Sequence, residues 1–255
     1  MHGAFHAPYG LRKWRHAERD EYEKYDEYTE TIVTGQLWWM IHKDLISEWR
    51  GRRAWPAMIL LGIVVVVVFS AQMDLPAEFK RQMAASLLWV AIFFAAALSL
   101  DRSFASERED GCWQALLLYP VSPSTVYLAK LAVNVVSLAA LQCVLIPLFV
   151  ILTDVPLLSH PWAMLLVALL GNAGIASAGT LLSALATRVH KGTNLTVLLA
   201  LPTAIPVVLA AAEATRLLTE GQIDRSWWSW NELLGTFAAV FIVAGTVLMD
   251  FVAEE

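Results

Sequence analysis

Residues 126–152 read VYLAKLAVNVVSLAALQCVLIPLFVIL, a run of 27 residues in which Lys130 is the one charged side chain. A helix of this length, at 1.5 Å per residue, is longer than the roughly 30 Å of hydrocarbon in a bilayer. Lys130 lies close enough to one end of the run for its stem to carry the ammonium group to the interface. The run therefore predicts a transmembrane helix.

Five further apolar stretches have the length and composition of membrane spans. The chain is 58% hydrophobic and 16% charged, whereas soluble domains are about 25% charged. The charges are clustered, which leaves the apolar stretches nearly free of them. We therefore predict an all-α membrane protein whose transmembrane domain, residues 55–252, has six helices. With the run already quoted, they cover residues 55–73, 83–100, 126–152, 162–187, 193–212 and 233–249.

Two segments precede the first span. Residues 1–34 are polar and charged, and we expect a flexible cytoplasmic tail. Residues 35–54 contain the sequence WWMIHKDLISEWR at 38–50. At 100° per residue its residues divide between an apolar and a polar face, the pattern of a helix lying in the membrane interface. The apolar face has Trp38, Ile41, Leu45, Ile46 and Trp49, and the polar face has Lys43, Asp44, Ser47, Glu48 and Arg50.

The distribution of basic residues predicts the orientation. Short cytoplasmic segments of bacterial membrane proteins carry an excess of Lys and Arg. Placing the N-terminus inside puts nine basic residues on cytoplasmic flanks and four on outer flanks. We therefore expect an inner-membrane protein with both termini in the cytoplasm. The inner set is Lys43, Arg50, Arg52, Arg53, Arg102, Arg108, Lys130, Arg188 and Lys191, and the outer set is Lys80, Arg81, Arg216 and Arg225.

Three short motifs that are typical of common enzyme classes are absent from the sequence. The P-loop pattern GxxxxGK[ST], which cradles nucleotide phosphates, is absent, as are HExxH and GxSxG. Cys112 and Cys143 do not have the spacing of a metal site, so we expect no bound metal. The amide side chains at mid-span are Asn134, Gln142 and Asn172. Hydrogen bonds between helices are their simplest role, and contact with a substrate is the alternative.

The segment between the second and third spans, residues 101–125, is the most informative part of the chain. It follows Leu100 and begins DRSFASEREDGCWQALLLYP. Asp110-Gly111 is a turn signal, and an apolar patch that begins at Trp113 follows it. This arrangement fits docking onto a cytoplasmic partner, and it equally fits a solvated loop in which Ser106 and Glu109 form a capping box. The charged residues are Asp101, Arg102, Glu107, Arg108, Glu109 and Asp110.

This segment resembles the same region of the haem exporter protein B (CcmB) family, membrane subunits of a cytochrome c maturation ABC transporter. The family pattern, roughly LDRLF…E..DG.LE.L.L.P followed by LAK, is matched by residues 100–104, Glu107, 110–111, Leu116, Leu118, Pro120 and 128–130. Other matching stretches are 43–45 with Glu48, 88–90, 169–171, 191–192, 201–202 and 205–206. The resemblance covers about residues 37–250.

The resemblance implies a permease-type subunit with an ABC exporter-like fold, acting in haem delivery or release. It implies a separate cytoplasmic ATPase subunit that hydrolyses ATP, further haem-handling membrane subunits, and a homodimer within the complex. Haem would be a substrate, and nucleic acid is not a partner. The residues that would dock the ATPase subunit are Asp101, Arg102, Glu107, Arg108, Asp110, Gly111 and Trp113. Two alternatives remain open: a non-transporting coupler that passes ATP-driven motion to a haem-handling partner, and a generic ABC-type exporter of another substrate.

Three departures from the family pattern affect local contacts. Residues 1–34 are extra. Cys112-Trp113-Gln114 replaces a small residue, Leu and Glu, so that one acidic docking residue is missing. The turn at 188–192 reads RVHKG, where the family tends to end in two glycines.

Small residues and prolines mark the fourth and fifth spans. Gly171, Gly174 and Ala178 belong to a stretch that has almost no side chains, and such spacing allows helices to approach closely. Pro202 and Pro206 interrupt the fifth span, and each removes a backbone donor, which is tolerated only against protein or a cavity. The pattern fits a bending core beside a pathway, or plain bundle packing.

His160 is the one histidine on the predicted outer side, in Ser159-His160-Pro161-Trp162. Histidine is a common axial ligand of haem iron, and an indole can stack on a porphyrin. A histidine beside an interfacial tryptophan is also ordinary in an outer loop, and we favour that interpretation. Trp227, Trp228 and Trp230 fit the aromatic belt of the outer interface.

Overall fold

A computed structural model of the chain describes residues 35, 37–46, 54–71, 77–102, 122–186 and 195–254. Every regular element in these ranges is an α-helix, as the sequence predicts. Numbered in chain order, they are α1 (37–46), α2 (Ala54–Ala71), α3 (Ala77–Arg102), α4 (Pro123–Thr153), α5 (Pro161–Ala186), α6 (Leu195–Thr219) and α7 (Arg225–Glu254).

In the part of the chain that the structure describes, four helices are long and apolar enough to cross a membrane. Their qualifying segments are Pro123–Thr153, Pro161–Ala186, Leu201–Thr219 and Arg225–Asp250. Shorter apolar segments, Pro56–Val68 and Met83–Leu98, lie in α2 and α3. The chain is therefore a multi-pass membrane protein, and the count of six spans stays a prediction.

Helix α5 lies at the centre of the bundle, in contact with α3, α4, α6 and α7. Nearly every residue from Gly171 to Ala186 is buried, and most of them are small. Small side chains allow neighbouring backbones to approach, which is how helices associate when both sides are as apolar as lipid. The stretch that the sequence marks as nearly side-chain-free thus belongs to a helix that contacts four others.

Helices α6 and α7 both extend beyond the apolar spans predicted at 193–212 and 233–249. Helix α6 continues to Thr219, and α7 already begins at Arg225. The carboxylate of Asp224 accepts hydrogen bonds from the backbone N–H groups of Ser226 and Trp227 at 3.0 and 3.2 Å, which caps α7. The connection is a tight turn through Gly221, whose φ is +73°. Apolar composition alone missed the polar first turns of α7.

Helix α1 uses a different face from the one its sequence predicts. The half-buried side chains are Leu37, Met40, Ile41, Asp44 and Leu45, while Trp38 and Trp39 are about 70% exposed. Asp44 therefore lies on the side that faces the bundle and not on the solvated polar face. The reason is an ion pair: the Asp44 carboxylate lies 3.3 Å from the Lys130 ammonium group of α4.

Candidate functional site

Trp89, in the middle of α3, joins three helices of the bundle. Its indole lies against Gly171 of α5, where any Cβ would overlap the ring. Its Nε1–H donates a 2.9 Å hydrogen bond to the hydroxyl of Thr215 on α6, which in turn donates to the Ala211 carbonyl at 2.7 Å. Trp89 is fully buried. A rigid aromatic in a glycine notch, held by a directional bond, fixes α3 against both α5 and α6.

Asp44 and Lys130 form a second connection, at the end of the bundle where α4 begins. The Lys130 side chain is 7% exposed and that of Asp44 12%. The prediction that Lys130 reaches out to the membrane interface is therefore wrong, because its charge is satisfied inside the protein. Lys43 lies at the same 3.3 Å from the Asp44 carboxylate, but its side chain is half exposed.

Both connections bring together stretches that carry the family resemblance. Trp89 belongs to residues 88–90 and Gly171 to residues 169–171. Asp44 belongs to residues 43–45 and Lys130 to residues 128–130. Residues far apart in the sequence are thus in direct contact in the structure. Residues that match the family pattern therefore contact each other directly across the bundle.

Amide side chains link α4 to α5, as the sequence predicts. Asn134 donates to the Thr180 hydroxyl at 2.8 Å, and Asn172 donates to Gln142 Oε1 at 3.0 Å. The two bonded residues are eight positions apart on each helix, 134 and 142 on α4 and 172 and 180 on α5. The lower number on one helix pairs with the higher number on the other, as antiparallel helices require. All four side chains are buried.

The small residues predicted as packing positions lie in the core. Gly174 faces Val207 of α6, whose methyl would stand 3.0 Å from an added Cβ, and Ala178 is buried. Gly245 of α7 was not predicted. It provides room for Tyr127, whose hydroxyl donates to the Ser177 and Phe241 carbonyls at 3.2 and 3.1 Å. An isolated glycine in an apolar helix was the available signal.

Pro202 and Pro206 do not interrupt their helix, so that part of the prediction is wrong. Helix α6 runs without a break through both positions, and both prolines are exposed on the outer surface of the bundle. They share this surface with the exposed side chains of Leu201, Ile205 and Leu209. The helix tolerates them because each loses one backbone bond while its neighbours keep theirs.

The loop 154–160 and the turn after α6 lie at the opposite end from the Asp44–Lys130 pair. His160 is exposed there, with Nδ1 3.2 Å from the Ser159 hydroxyl, and Trp162 is 80% exposed. Arg216 pairs with Glu213 and, at 2.7 Å, with Glu220. Among the described residues, no group of three His, Cys, Asp or Glu side chains is placed to share a metal ion.

The predicted docking segment falls mostly outside the described residues. Asp101 and Arg102 are the last two residues of α3. Glu107, Arg108, Asp110, Gly111 and Trp113 lie outside the described ranges, as do residues 1–34 and the turn at 188–192. Ser122 caps α4, where its hydroxyl accepts from Thr125 N–H at 3.3 Å, and Pro123 takes the first helical position.

Comparison with known proteins gives a consistent result. The model of the CcmB protein family matches residues 35–252. The chain is 30% identical over 182 residues to heme exporter protein B of Rhodobacter capsulatus, which covers 71% of this chain and 83% of that protein. It is 28% identical to heme exporter protein B of Pseudomonas aeruginosa over 69% of this chain and 78% of that one. For the protein of the same name from Bradyrhizobium diazoefficiens the identity is 25%, over 66% and 74%.

Proposed function

This chain belongs to the CcmB protein family, and we propose that it is the permease-type membrane subunit of an ABC complex in haem delivery or release for cytochrome c maturation. The observation that carries the proposal is the family match over residues 35–252, together with relatives named heme exporter protein B. We place the chain in a bacterial inner membrane, with six spans and both termini in the cytoplasm.

Since the sequence has no P-loop, ATP hydrolysis falls to a separate cytoplasmic subunit in this proposal. That subunit docks on the charged segment after α3, residues 101–119. Helix α3 leads directly into this segment, and Trp89 lies 13 residues before its last residue, Arg102. Motion at the segment would travel along α3 and, through Trp89, into α5 and α6. Haem-handling membrane subunits and a second copy of this chain complete the complex.

A coupler that passes motion to a partner, without moving haem itself, has its own support. Of the described residues, Lys130 is the one buried charged side chain, and it is paired with Asp44. A route for haem would need donors or cations for its two propionates, because an isolated carboxylate in an apolar medium is costly. Most of the described buried polar side chains form at least one bond within the bundle, which favours the coupler over transport through this subunit.

Purification of the tagged full-length chain from membranes tests the proposal. We expect an ATPase subunit and haem-handling membrane subunits to co-purify, and we expect loss of holo-cytochrome c when the gene is deleted. Haem retained on a partner subunit would support the coupler, and haem retained on this chain would support transport. Normal holo-cytochrome c in the deletion strain would contradict the proposal and leave a generic exporter of another substrate.

A further inference from the structure

We propose that residues 225–236 of α7 are a docking surface for a transmembrane helix of another protein, which brings a Lys or Arg side chain to Glu232. The surface lies at the end of the bundle opposite the Asp44–Lys130 pair. The inference rests on this surface and not on the proposed function. Four exposed residues, which we call the polar stripe of α7, define it: Arg225, Ser229, Glu232 and Thr236.

The polar stripe runs along one line of the helix. Its residues are three or four positions apart, which keeps them within about 60° of one another around the helix axis. The buried side chains in the same part of α7, Trp227, Asn231 and Leu234, lie on the opposite side. The stripe is therefore centred on the face that α7 turns away from the bundle.

The depth of Glu232 follows from the two ends of α7. Asp250 accepts a 3.3 Å hydrogen bond from the backbone N–H of Ser124, at the start of α4, and so marks one end of the bundle. Arg225 begins α7 at the other end. The helix between Arg225 and Asp250 is roughly 38 Å long, of which roughly 30 Å lies in hydrocarbon. Glu232 is about 10 Å from Arg225 along the axis and thus lies within the hydrocarbon layer.

Helix α5 shows an ordinary lipid-facing surface at the same depth. The two helices run in the same direction, and Leu170 of α5 would lie 3.9 Å from a Cβ added to Gly235 of α7. Next to this contact, α5 turns Leu165 and Leu169 outward, and each is about half exposed. Lipid chains require such apolar side chains, whereas α7 presents a carboxylate and two hydroxyl groups.

The Glu232 carboxylate has no counter-ion in the part of the chain that the structure describes. None of the ion pairs found there includes it. The hydroxyls of Ser229 and Thr236 donate to backbone carbonyls of α7, at 3.0 and 2.8 Å, and so do not serve it. An ionised carboxylate in an apolar medium is costly unless it is paired. A cation from a neighbouring transmembrane helix removes this cost, because lipid chains cannot.

The charge of the stripe argues against a second copy of this chain as its occupant. Two copies related by a two-fold axis along the membrane normal keep each residue at the same depth. Glu232 would then face Glu232, and Arg225 would face Arg225. Because like charges repel, the occupant is a different chain with a basic residue at the depth of Glu232.

Photo-crosslinking of the full-length protein in cell membranes tests the surface. The photoreactive amino acid p-benzoylphenylalanine is placed at position 229 or 236 of the stripe. Position 169 of α5 is the matched control, since Leu169 is exposed at the same depth. We expect an adduct with another protein from the two stripe positions and none from the control. Peptide mapping should place the adduct in a transmembrane segment that contains Lys or Arg.

Charge reversal gives the second criterion, with the photoreactive group at position 236. Glu232→Lys should abolish the adduct, because it opposes the cation of the partner. Glu232→Asp should retain it, and Glu232→Gln should weaken it. Immunoblots of the membranes control for the protein level. An adduct with a second copy of this chain, an adduct with lipid alone, or an adduct that survives both Glu232→Lys and Glu232→Gln would overturn the proposal.

Discussion

Trp89 and Gly171 illustrate what a single position contributes. The sequence marks Gly171 as a packing residue from its small neighbours, and the structure confirms that it is buried. The sequence does not give its partner, because Trp89 lies two helices earlier in the chain and its direction depends on how α3 and α5 cross. A glycine is required at 171 because the indole fills the space of a side chain.

Gly171→Ala should therefore destabilise the protein by about 1–3 kcal/mol, since the methyl group overlaps the Trp89 ring and the core has to shift. Gly235→Ala is the matched control. Its added Cβ would meet Leu170 at an ordinary 3.9 Å, and alanine in a helix interior gains about 0.5–1 kcal/mol over glycine. Thermal unfolding of the purified variants in detergent compares them. Equal melting temperatures for the two variants would contradict the packing described here.

His160→Ala should leave cytochrome c assembly largely intact. The imidazole is exposed, and its neighbour is the Ser159 hydroxyl at 3.2 Å. The measurement is the level of holo-cytochrome c in cells that carry the variant, with the protein level as the control. Complete loss of holo-cytochrome c at a normal protein level would revive haem ligation by this residue.

Helices, in contrast to single contacts, are largely predictable from composition. Each of the six apolar stretches overlaps one of the helices α2 to α7, because a bilayer-spanning segment must satisfy its own backbone. What the apolar pattern misses is the polar extension of a helix, as in α7, where Asp224 caps a first turn rich in tryptophan. It also does not predict which face of α1 packs against the bundle, because the apolar pattern of α1 alone contains no information on the ion pair between Asp44 and Lys130.

The ion pair between Asp44 and Lys130 is expected to hold helix α1 against helix α4. Asp44→Asn removes the Asp44 carboxylate from its ion pair with the nearly buried Lys130 and should destabilise the protein by about 2 kcal/mol. Lys43→Gln removes a cation at the same 3.3 Å from the same carboxylate, but at a half-exposed position, and should cost less than about 1 kcal/mol. Thermal unfolding measures both. A larger effect at Lys43 than at Asp44 would show that the pair with Lys130 does not hold α1.

At the scale of the whole molecule, the order of antiparallel helices fixes which loops share a side. The loop between α4 and α5 and the turn between α6 and α7 both lie at the end opposite the Asp44–Lys130 pair. From the predicted excess of basic residues inside, we expect both connections to face outward. Reporter fusions after residue 157 and after residue 224 should therefore report an outer location. A cytoplasmic signal from either fusion would contradict the predicted topology of six spans and require one span fewer.

The central claim is that the segment after α3 receives motion from an ATPase subunit, and reversing two of its charges tests this most directly. Glu107→Lys with Asp110→Lys leaves the spans untouched, so the variant should insert normally. An unpaired charge at a partly desolvated contact costs several kcal/mol, and about 3 kcal/mol already lowers affinity about a hundredfold. Solvated charges would cost almost nothing.

The measurement is co-purification of the ATPase subunit with the tagged double variant, together with the cellular level of holo-cytochrome c. The control is Lys43→Gln, a charge change at an exposed site elsewhere on the same predicted side. We expect the double reversal to lose the ATPase subunit and cytochrome c assembly, while the control keeps both. An ATPase subunit retained at wild-type stoichiometry, with normal assembly, would contradict the claim and leave the segment a solvated loop.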